Sequence, residues 1–567
     1  MKGKPKRKGP RGNQSRNFKD KDRLTDTGAL SKDDRVEQRD RRDYSKSAPN
    51  DWNWYAQNIQ LLTDYASFPF GVPVGTPLTG LRSRDATINE SAVPGVMALY
   101  YTPTIGVAQS ETDPITIAAR NIYSFVRHAN SGHTNYDAPD LMLYLLSMDS
   151  VYMFHEYMKR ALGVLLDYTP TNRYYPRALL IAMGLNPEDF ISHIADFRGY
   201  INQYAVRVGS MCVPNSMSYM ARHTWMTSGL YTDSTSSKAQ TYMYVPYSYF
   251  KFGLTSGDAP VGQITRVQLF NPQAITAAQF PISSLVTFEQ LRTFGDDLFA
   301  PIITNEDMNI MSGDILKAFG PEGLVKIHGV LDGYMVLPTY SEEVLSQIEN
   351  SVILGANPPS VAVQQNTTIG GGYLTAGMGF LSPYSITMSG TVSDQGWDPL
   401  SNSFLLNFHH DGVTPAETMV ATRLALTCSI SMQGASGNKS LIYTLDSCGS
   451  EVLTYAGIFY YAMNGSVNTL YSRPLMTCMP DMNGVSGLPY SSGSVAEICA
   501  LHAQFDWAPR IWRTYYQEAG SMTKAQLPLM DIDNYTILSP NNIKNLHAVA
   551  LLSEFSVPQM GAFSTKI

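Results

Sequence analysis

Residues 139–166 read PDLMLYLLSMDSVYMFHEYMKRALGVLL, and this stretch constrains the architecture of the whole chain. Its apolar runs LMLYLL, VYMF and ALGVLL cover much of the circumference of an α-helix. A helix that is apolar on most sides is stable only when other elements surround it. The sequence therefore predicts a long central helix from about Pro139 to Leu166, bounded by Pro170.

Shorter helices are predicted on both sides of this central helix, because start signals precede apolar residues at helical spacing. Asp113-Pro114 combines an N-cap with proline at the first helical position and predicts a helix that ends near Gly132. Asn186-Pro187 predicts the start of another helix. Its apolar residues are spaced by 4, 3, 4 and 3: Phe190, Ile194, Phe197, Ile201 and Tyr204.

Three more helices are predicted further along the chain. They cover about 283–299, 313–319 and 340–353. Thr339 and Glu342 have the spacing of a capping box at the start of the last one.

From about residue 356 the apolar period shortens from that of a helix to that of a strand, and Gly, Ser and Thr become more frequent. Apolar and polar residues alternate at 384–392 and at 424–432, which predicts half-buried strands. Alternation at 459–463 runs into Asn464-Gly465, a dipeptide typical of β-hairpin turns.

Helix signals return twice after this change. Thr414, Pro415 and Glu417 supply an N-cap, a first-turn proline and a capping-box acid. A second helix is predicted from Ser539-Pro540 through Leu552.

The start of the chain differs from the rest in charge. The 567 residues carry 41 Lys and Arg and 48 Asp and Glu, a net charge of −7. Residues 1–50 hold 16 of the bases and 8 of the acids, so 51–567 hold 25 bases and 40 acids. The first nineteen residues contain no acid and have eight bases: Lys2, Lys4, Lys6, Arg7, Lys8, Arg11, Arg16 and Lys19.

This segment has too few apolar side chains to bury enough surface to offset the conformational entropy that it would lose on ordering. We therefore expect it to be a disordered cationic arm. Arms of this kind bind polyanions, and the eight bases are the residues that we expect to contact nucleic acid without base specificity. Eight phosphate contacts would make log K fall with log[salt] at a slope of roughly −6 to −7. A nuclear signal, a membrane-surface tether and a solubilising tail remain alternatives.

Cysteine spacing and hydropathy limit the cellular setting. Five cysteines occur without any CxxC pair, which favours reduced thiols and an intracellular origin. No apolar run approaches the roughly 18 residues of a membrane span, and no secretory signal follows the basic start. We therefore expect a soluble protein with no membrane partner.

Short motifs resemble catalytic or metal sites, but their surroundings do not fit. Gly295-Asp296-Asp297 matches the GDD of polymerases, yet it lies in SLVTFEQLRTFGDDLF, whose apolar spacing is helical. A polymerase that uses Asp296 and Asp297 is kept as the alternative function. His155-Glu156 begins like HExxH, but Lys159 replaces the second ligand.

His409-His410-Asp411-Gly412 could supply metal ligands, but Asp-Gly before a capped helix is typical of a turn. We therefore predict no catalytic residue, no metal site and no cofactor. A large soluble chain with a polyanion-binding arm suits a self-assembling container of nucleic acid, in which many subunits multiply a weak contact.

A family resemblance sharpens this prediction. Residues 222–250, RHTWMTSGLYTDSTSSKAQTYMYVPYSYF, resemble picobirnavirus capsid proteins, with partitivirus capsids as near neighbours. The pattern consists of Arg222, Trp225, Tyr231-x-Asp233, Lys238-Ala239-Gln240-x-Tyr242 and Val245-Pro246. Further similar segments are SGDILKAFG (312–320), TPAETMVATRL (414–424), FDWAPRIW (505–512) and NLHAVALLSEFSVP (545–558).

The resemblance implies a capsid protein that forms dimers, which assemble into a small icosahedral shell around a double-stranded RNA genome. It implies a largely helical shell domain and a protruding domain. It also implies a separate viral polymerase, which could be packaged with the RNA. The expected location is the virion, after assembly in the host cytoplasm.

Together these observations predict an α+β protein in four parts. Residues 1–50 form the disordered basic arm, and 51–355 form a mainly helical shell domain. Residues 356–500 form a β-rich, protruding region, and 501–567 return to the shell. The expected function is that of a non-enzymatic coat protein. The alternatives are the polymerase and a non-viral RNA-binding protein with a basic tail.

Overall fold

The computed structural model describes most of the chain after residue 53. The described residues are 54–68, 77–78, 91–92, 95–130, 132, 135–167, 174–235, 239–272, 284–386, 404–434, 439–461, 467–471, 478–481, 503–517, 523–528 and 531–558. The predicted arm at 1–50, with its eight bases, lies outside the described residues. The chain divides into two units, Met1–Val72 and Pro73–Ile567.

The described residues contain twelve α-helices and one short 3-10 helix, Pro321–Gly323. The α-helices are α1 Ile59–Ala66, α2 Pro114–Ala129, α3 Ala138–Leu166, α4 Tyr174–Ala182, α5 Pro187–Ser192, α6 Ile194–Val208, α7 Ser218–Ser228, α8 Phe288–Ile303, α9 Glu306–Phe319, α10 Glu342–Glu349, α11 Pro415–Ala421 and α12 Pro540–Glu554.

The same residues contain twenty strands, most of them in the second half of the chain. They are β1 Pro77–Leu78, β2 Ser91–Ala92, β3 Val96–Pro103, β4 Tyr231–Thr232, β5 Thr241–Pro246, β6 Tyr249–Leu254, β7 Gly262–Val267, β8 Thr339–Tyr340, β9 Val361–Asn366, β10 Tyr373–Ala376, β11 Gly379–Ile386, β12 Phe404–Phe408, β13 Leu426–Gln433, β14 Lys439–Cys448, β15 Glu451–Tyr461, β16 Val467–Tyr471, β17 Cys478–Asp481, β18 Trp512–Gln517, β19 Thr523–Pro528 and β20 Asn534–Leu538. Helices and several separate sheets confirm the predicted α+β class.

The first unit has a single described helix, α1. Its N-cap is Asn58, whose side-chain oxygen accepts a hydrogen bond from the N–H of Gln60 at 3.0 Å. None of the residues of α1 is buried. The remaining elements all belong to the second unit.

The apolar stretch that opened the sequence is the centre of the second unit. Of the 29 residues of α3, 25 are buried, as the apolar circumference predicts. Helices α2, α6, α7 and α8 and strand β6 pack around it. The start of α3 is fixed by Asp140, whose carboxylate accepts a hydrogen bond from the N–H of Asp137 at 3.0 Å.

A six-stranded sheet of order β16-β15-β3-β5-β4-β8 lies beside α3. Strand β3 is buried along its whole length, runs parallel to β5 and pairs antiparallel with β15. The hydroxyl of Tyr101 on β3 reaches Met153 Sδ of α3 at 3.0 Å and Thr227 Oγ1 of α7 at 2.7 Å. Because β15 comes from residues 451–461, the sheet joins distant parts of the chain.

One hydrophobic core continues through the second unit and contains residues from Val96 to Phe555. Strand β20, near the end of the chain, pairs antiparallel with β12. Helix α12 then packs against α2, α7 and β14. The boundaries proposed at residues 355 and 500 stay predictions.

Most of the predicted elements are present, including the helices that begin at 114, 415 and 540. The side chain of Asp113 does not cap the first of these helices, because it accepts hydrogen bonds from the N–H groups of Gln109 and Ser110 in the preceding turn. Strands β15 and β16 pair antiparallel as the predicted hairpin, although residues 462–466 between them lie outside the described part. The helix predicted from Asn186 is interrupted at His193, so it is two helices, α5 and α6. The helix predicted at 313–319 begins earlier, at Glu306, with Asn305 as its N-cap.

The capping box predicted for Thr339 and Glu342 is wrong. Thr339 belongs to β8, and its N–H donates to the carbonyl of Leu230 at 3.0 Å. Ser341 precedes α10 instead. Pairing with β4 at the sheet edge satisfies the backbone of Thr339, so the sheet replaces the cap that the local spacing indicates.

Candidate functional site

The eight bases predicted to contact nucleic acid lie outside the described residues, so their role stays a prediction. The structure does describe the motifs that resemble catalytic or metal sites. It also reveals a buried charge cluster that the sequence did not indicate.

The GDD motif lies inside helix α8, as its apolar spacing predicts, and Gly295 and Asp296 have structural roles there. A Cβ atom on Gly295 would lie 2.6 Å from the ring of Phe154, so glycine allows α8 to approach α3 closely. Asp296 forms an ion pair with Arg207 at 2.6 Å, and Asp297 is exposed. A helical, ion-paired carboxylate does not have the hairpin setting of a polymerase metal site.

The HExxK sequence lies on the central helix. His155 is buried, and its ring lies nearly parallel to that of Tyr204, with the centroids 6.5 Å apart. Glu156 pairs with Lys159 at 2.8 Å, within the same helix. The residue that breaks the metal motif therefore neutralises its glutamate.

The His409-His410 pair lies at the end of β12. His409 is held between two carboxylates, with Nδ1 2.6 Å from Asp533 and Nε2 3.1 Å from Glu349. Its ring packs edge-on against Trp507, with the centroids 4.4 Å apart. Gly412 follows with a φ of +77°, as the predicted turn requires. Within the described part of the chain, no group of three or more His, Cys, Asp or Glu residues is arranged to hold a metal ion.

The buried charge cluster joins four elements that are far apart in sequence. Asp149 comes from α3, Arg222 and His223 from α7, Glu451 from β15 and Glu554 from α12. Asp149 and His223 are fully buried, and Glu451 and Glu554 are 1% and 8% exposed. Charged groups are rarely buried this completely unless they are paired.

Specific contacts pair the charges of this cluster. His223 Nδ1 lies 2.8 Å from Asp149 Oδ2, and Arg222 Nε donates to Glu451 Oε1 at 2.6 Å. The hydroxyl of Ser450 contacts Glu451 Oε2 and also lies 3.1 Å from Glu554 Oε1. The guanidinium of Arg423, which follows α11, adds a third cation beside these carboxylates.

Burial and pairing compete in setting the charge states. Burial favours a neutral Glu451, but the charge and hydrogen bonds of Arg222 outweigh it and hold the pKa of Glu451 below its usual value. Burial also favours the neutral form of His223, but the charge and hydrogen bond of Asp149 outweigh it and raise the pKa of His223. Glu554 lacks such a direct partner, so burial and the negative charge of Glu451 raise its pKa to about 7.

The Asp149–His223 pair resembles part of a hydrolytic triad, but the geometry does not support catalysis. Nε2 of His223 faces the backbone carbonyl of Ser450 at 3.3 Å, whereas the Ser450 hydroxyl contacts the two glutamates. Since His223 has no exposed surface, a substrate could not reach it. The cluster therefore acts as a structural connection, and removing one member of a buried pair costs about 3–5 kcal/mol.

Sequence reasoning missed this cluster because its members are separated by 74 residues (Asp149 to His223) and by 229 residues (Arg222 to Glu451). One signal was available. Three of the segments quoted for the family resemblance contribute to it, through Arg222 and His223, through Arg423, and through Glu554. In the described residues, no helix is long and apolar enough to cross a membrane.

Comparisons with known proteins agree with the resemblance. The family model for the picobirnavirus capsid protein matches residues 54–480. The capsid protein precursor of human picobirnavirus (strain Human/Thailand/Hy005102/-) is 33% identical over 543 residues, which cover 91% of this chain and 92% of that protein. The crystal structure of the picobirnavirus capsid has the same fold, with a TM-score of 0.72 at 22% identity, and the match covers 91% of this chain and 100% of that one.

The family model and the human picobirnavirus relative each match most of the chain. They confirm the resemblance and the prediction of a structural, non-enzymatic role, and they reject the polymerase and the non-viral RNA-binding protein. This chain belongs to the picobirnavirus capsid protein family and is a viral coat protein.

Proposed function

We propose that this coat protein self-assembles through dimers into a closed icosahedral shell around double-stranded RNA. The arm at 1–50 contacts the RNA without sequence specificity. The observation that carries this proposal is the charge asymmetry: 16 bases and 8 acids in residues 1–50, against 25 bases and 40 acids in the remainder. Phosphate attracts the first segment and is repelled by the average charge of the second.

Ion pairs within residues 51–567 support the assignment of the RNA contact to the arm. Arg222 and Arg207 pair with Glu451 and Asp296, and Arg177 pairs with Glu188. A cation that is already paired with a carboxylate offers less to a phosphate than one in an acid-free segment. The eight bases between Lys2 and Lys19 have no acid among them, so they are the better RNA contacts.

Assembly multiplies the effect of each arm. One arm binds RNA weakly and with a strong salt dependence, but a shell places many arms around one RNA at high effective concentration. The proposed partners are therefore further copies of this chain, viral RNA and a packaged viral polymerase. Assembly in the host cytoplasm would place the protein beside all three.

The decisive experiment removes the charge of the arm but keeps its length. In one variant the eight bases of residues 2–19 become glutamine, and in the control variant residues 2–19 are shuffled with their composition unchanged. Particles are counted by electron microscopy, and co-purifying RNA is measured per particle. We expect both variants to form particles, with most of the RNA lost only from the glutamine variant.

Two outcomes would contradict the proposal. Glutamine-variant particles that hold as much RNA as the unmodified ones would show that the arm is not the RNA contact. A shuffled arm that loses RNA would show sequence-specific recognition instead. Analytical ultracentrifugation of dissociated particles tests the dimer, because finding monomer and no dimer at every concentration would contradict assembly through dimers.

A further inference from the structure

Helix α12 is held against the rest of the second unit by few buried residues, and some of these are ionisable. It packs against α2, α7, β13 and β14, yet only five of its fifteen residues are buried. Two of those five are ionisable, His547 and Glu554. The attachment therefore depends on polar groups as well as on apolar area.

His547 provides an attachment that does not change near neutral pH. Its Nε2 lies 3.2 Å from the carbonyl oxygen of Thr422, which can only accept, so Nε2 carries the proton. The hydroxyl of Ser447 then donates to Nδ1 at 2.6 Å. Burial, reinforced by the charge of Arg423, lowers the pKa of His547 to about 3. His547 is therefore neutral in the folded protein at pH values near 7.

The contact of Glu554 is different, because one hydroxyl, that of Ser450, bridges two carboxyl groups. The Ser450 hydroxyl has a single proton and contacts both Glu451 Oε2 and Glu554 Oε1. Glu451 is ion-paired with Arg222, so it is the ionised acceptor of the pair. The 3.1 Å contact between Ser450 and Glu554 is then favourable only if Glu554 is protonated and donates to Ser450 Oγ.

Nothing else in the described surroundings stabilises an ionised Glu554 by a direct contact. Its Oε2 is buried and has no hydrogen-bond partner among the described residues. The charge of Arg423 lowers the pKa of Glu554, but no hydrogen bond joins the two among the described residues, since Nη2 of Arg423 donates to the carbonyl of Leu546 at 3.1 Å and its Nη1 is buried without a partner. A buried carboxylate with one unpartnered oxygen is costly, and protonation removes that cost.

Charged groups from each neighbouring element act on this site. Helix α7 presents Arg222 and His223, with Asp149 of α3 behind His223, β15 presents Glu451, and Arg423 follows α11. On α2, Arg120 pairs with Glu111, Arg127 donates to the carbonyl of Gly132, and His128 is exposed. Strand β14 carries the buried thiol of Cys448 and the exposed Asp446, and Lys544 is exposed on α12 itself.

We propose that the Glu554–Ser450 contact is a pH-dependent latch, which holds helix α12 tightly in mild acid and weakens as the pH rises to neutrality. An acid whose pKa rises from 4.5 in the undocked helix to about 7 in the docked one favours docking while it is protonated. The docking equilibrium should therefore weaken about tenfold between pH 6 and pH 8. His223 acts in the same direction, and the ionised Glu451 loses its contribution only in stronger acid.

Hydrogen–deuterium exchange of the full-length chain tests the latch. Protection of peptides from residues 543–553 is measured at pH 6 and pH 8 and corrected for the intrinsic exchange rate. We expect protection of the wild-type helix to fall about tenfold or more, and we expect the Glu554→Gln variant, whose amide stays neutral, to lose about tenfold of that dependence. Glu289→Gln, the same change at an exposed site on α8, should behave as wild type.

Identical pH dependence in Glu554→Gln and wild type would overturn the proposal. If Glu554→Gln does not fold, the pH dependence of exchange in the wild-type chain tests the proposal by itself. Its protection in residues 543–553, followed from pH 5 to pH 9, should fall as the pH rises to about 7 and then level off, and a flat profile would refute the latch. The result does not depend on RNA binding, so it stands or falls separately from the proposed role of the arm.

Discussion

Helices α3 and α12 belong to the same unit but are stabilised in opposite ways. Helix α3 buries 25 of its 29 residues, mostly among apolar and aromatic side chains, whereas α12 buries 5 of 15 and depends on His547 and Glu554. Apolar burial does not change with pH, but a buried carboxyl group does. The apolar packing of α3 should therefore be insensitive to pH, whereas the proposed latch makes the docking of α12 depend on it.

The largest effect should come from the core of α3. Phe154 is fully buried and packs against Tyr204, Tyr249 and Phe294, with ring centroids 5.4 to 5.8 Å apart. Phe154→Ala leaves a cavity and should lower the free energy of unfolding by about 3–5 kcal/mol. Urea unfolding of the unassembled chain at pH 6 and pH 8 should show the same loss at both.

The matched control for this change is Val206→Ala on α6, where the side chain is 78% exposed. It should change the free energy of unfolding by less than about 0.5 kcal/mol. If the loss in free energy of unfolding caused by Phe154→Ala varied strongly with pH, the stability of α3 would depend on pH and the contrast with α12 would be wrong.

A smaller effect, and a pH-dependent one, should come from Glu451→Gln. The change leaves the buried His223 and the partly buried Arg222 without their shared carboxylate and should cost about 3 kcal/mol at pH 7. Because the pKa of Glu451 is lowered on folding, its contribution is present above about pH 4.5 and is lost as pH falls further. The deficit of the variant should therefore shrink in acid, as urea unfolding between pH 3.5 and pH 7 would reveal.

Glu188→Gln is the corresponding control at the surface. Glu188 pairs with Arg177, but both side chains are partly exposed, so the loss should be about 1 kcal/mol or less. Equal deficits for the two variants at pH 7 would mean that the buried cluster contributes no more than a surface ion pair.

The smallest predicted effect concerns the start of α12. Ser539 Oγ accepts a hydrogen bond from the N–H of Asn542 at 3.2 Å, so Ser539→Ala should weaken the helix by about 1 kcal/mol. Ser553→Ala in the same helix is the control, because Ser553 only donates to the carbonyl of Val549. Hydrogen exchange over residues 543–550 should accelerate in the first variant and not in the second.

The sequence predicted these elements unequally well. The caps at Thr414 and Ser539 are local signals within four residues, and both form as predicted. The cap predicted at Thr339 was wrong because the N–H of Thr339 donates to the carbonyl of Leu230. No local sequence pattern indicates a partner so far away in the chain. His193 interrupts a helix whose apolar spacing is continuous, so periodicity alone did not find the break.

The sequence alone determined whatever depends on neighbours in the chain or on composition: the apolar central helix, the caps at Thr414 and Ser539, the alternating strands after residue 356 and the separation of a basic start from an acidic remainder. It did not indicate the strands before residue 356, such as β3 and β5. Tertiary structure decided which residues meet. Strand β3 pairs with β5 and β15, and Asp149, His223, Glu451 and Glu554 converge in one buried cluster. Helix caps and side-chain periods are short-range effects, whereas burial and charge pairing depend on contacts between segments hundreds of residues apart.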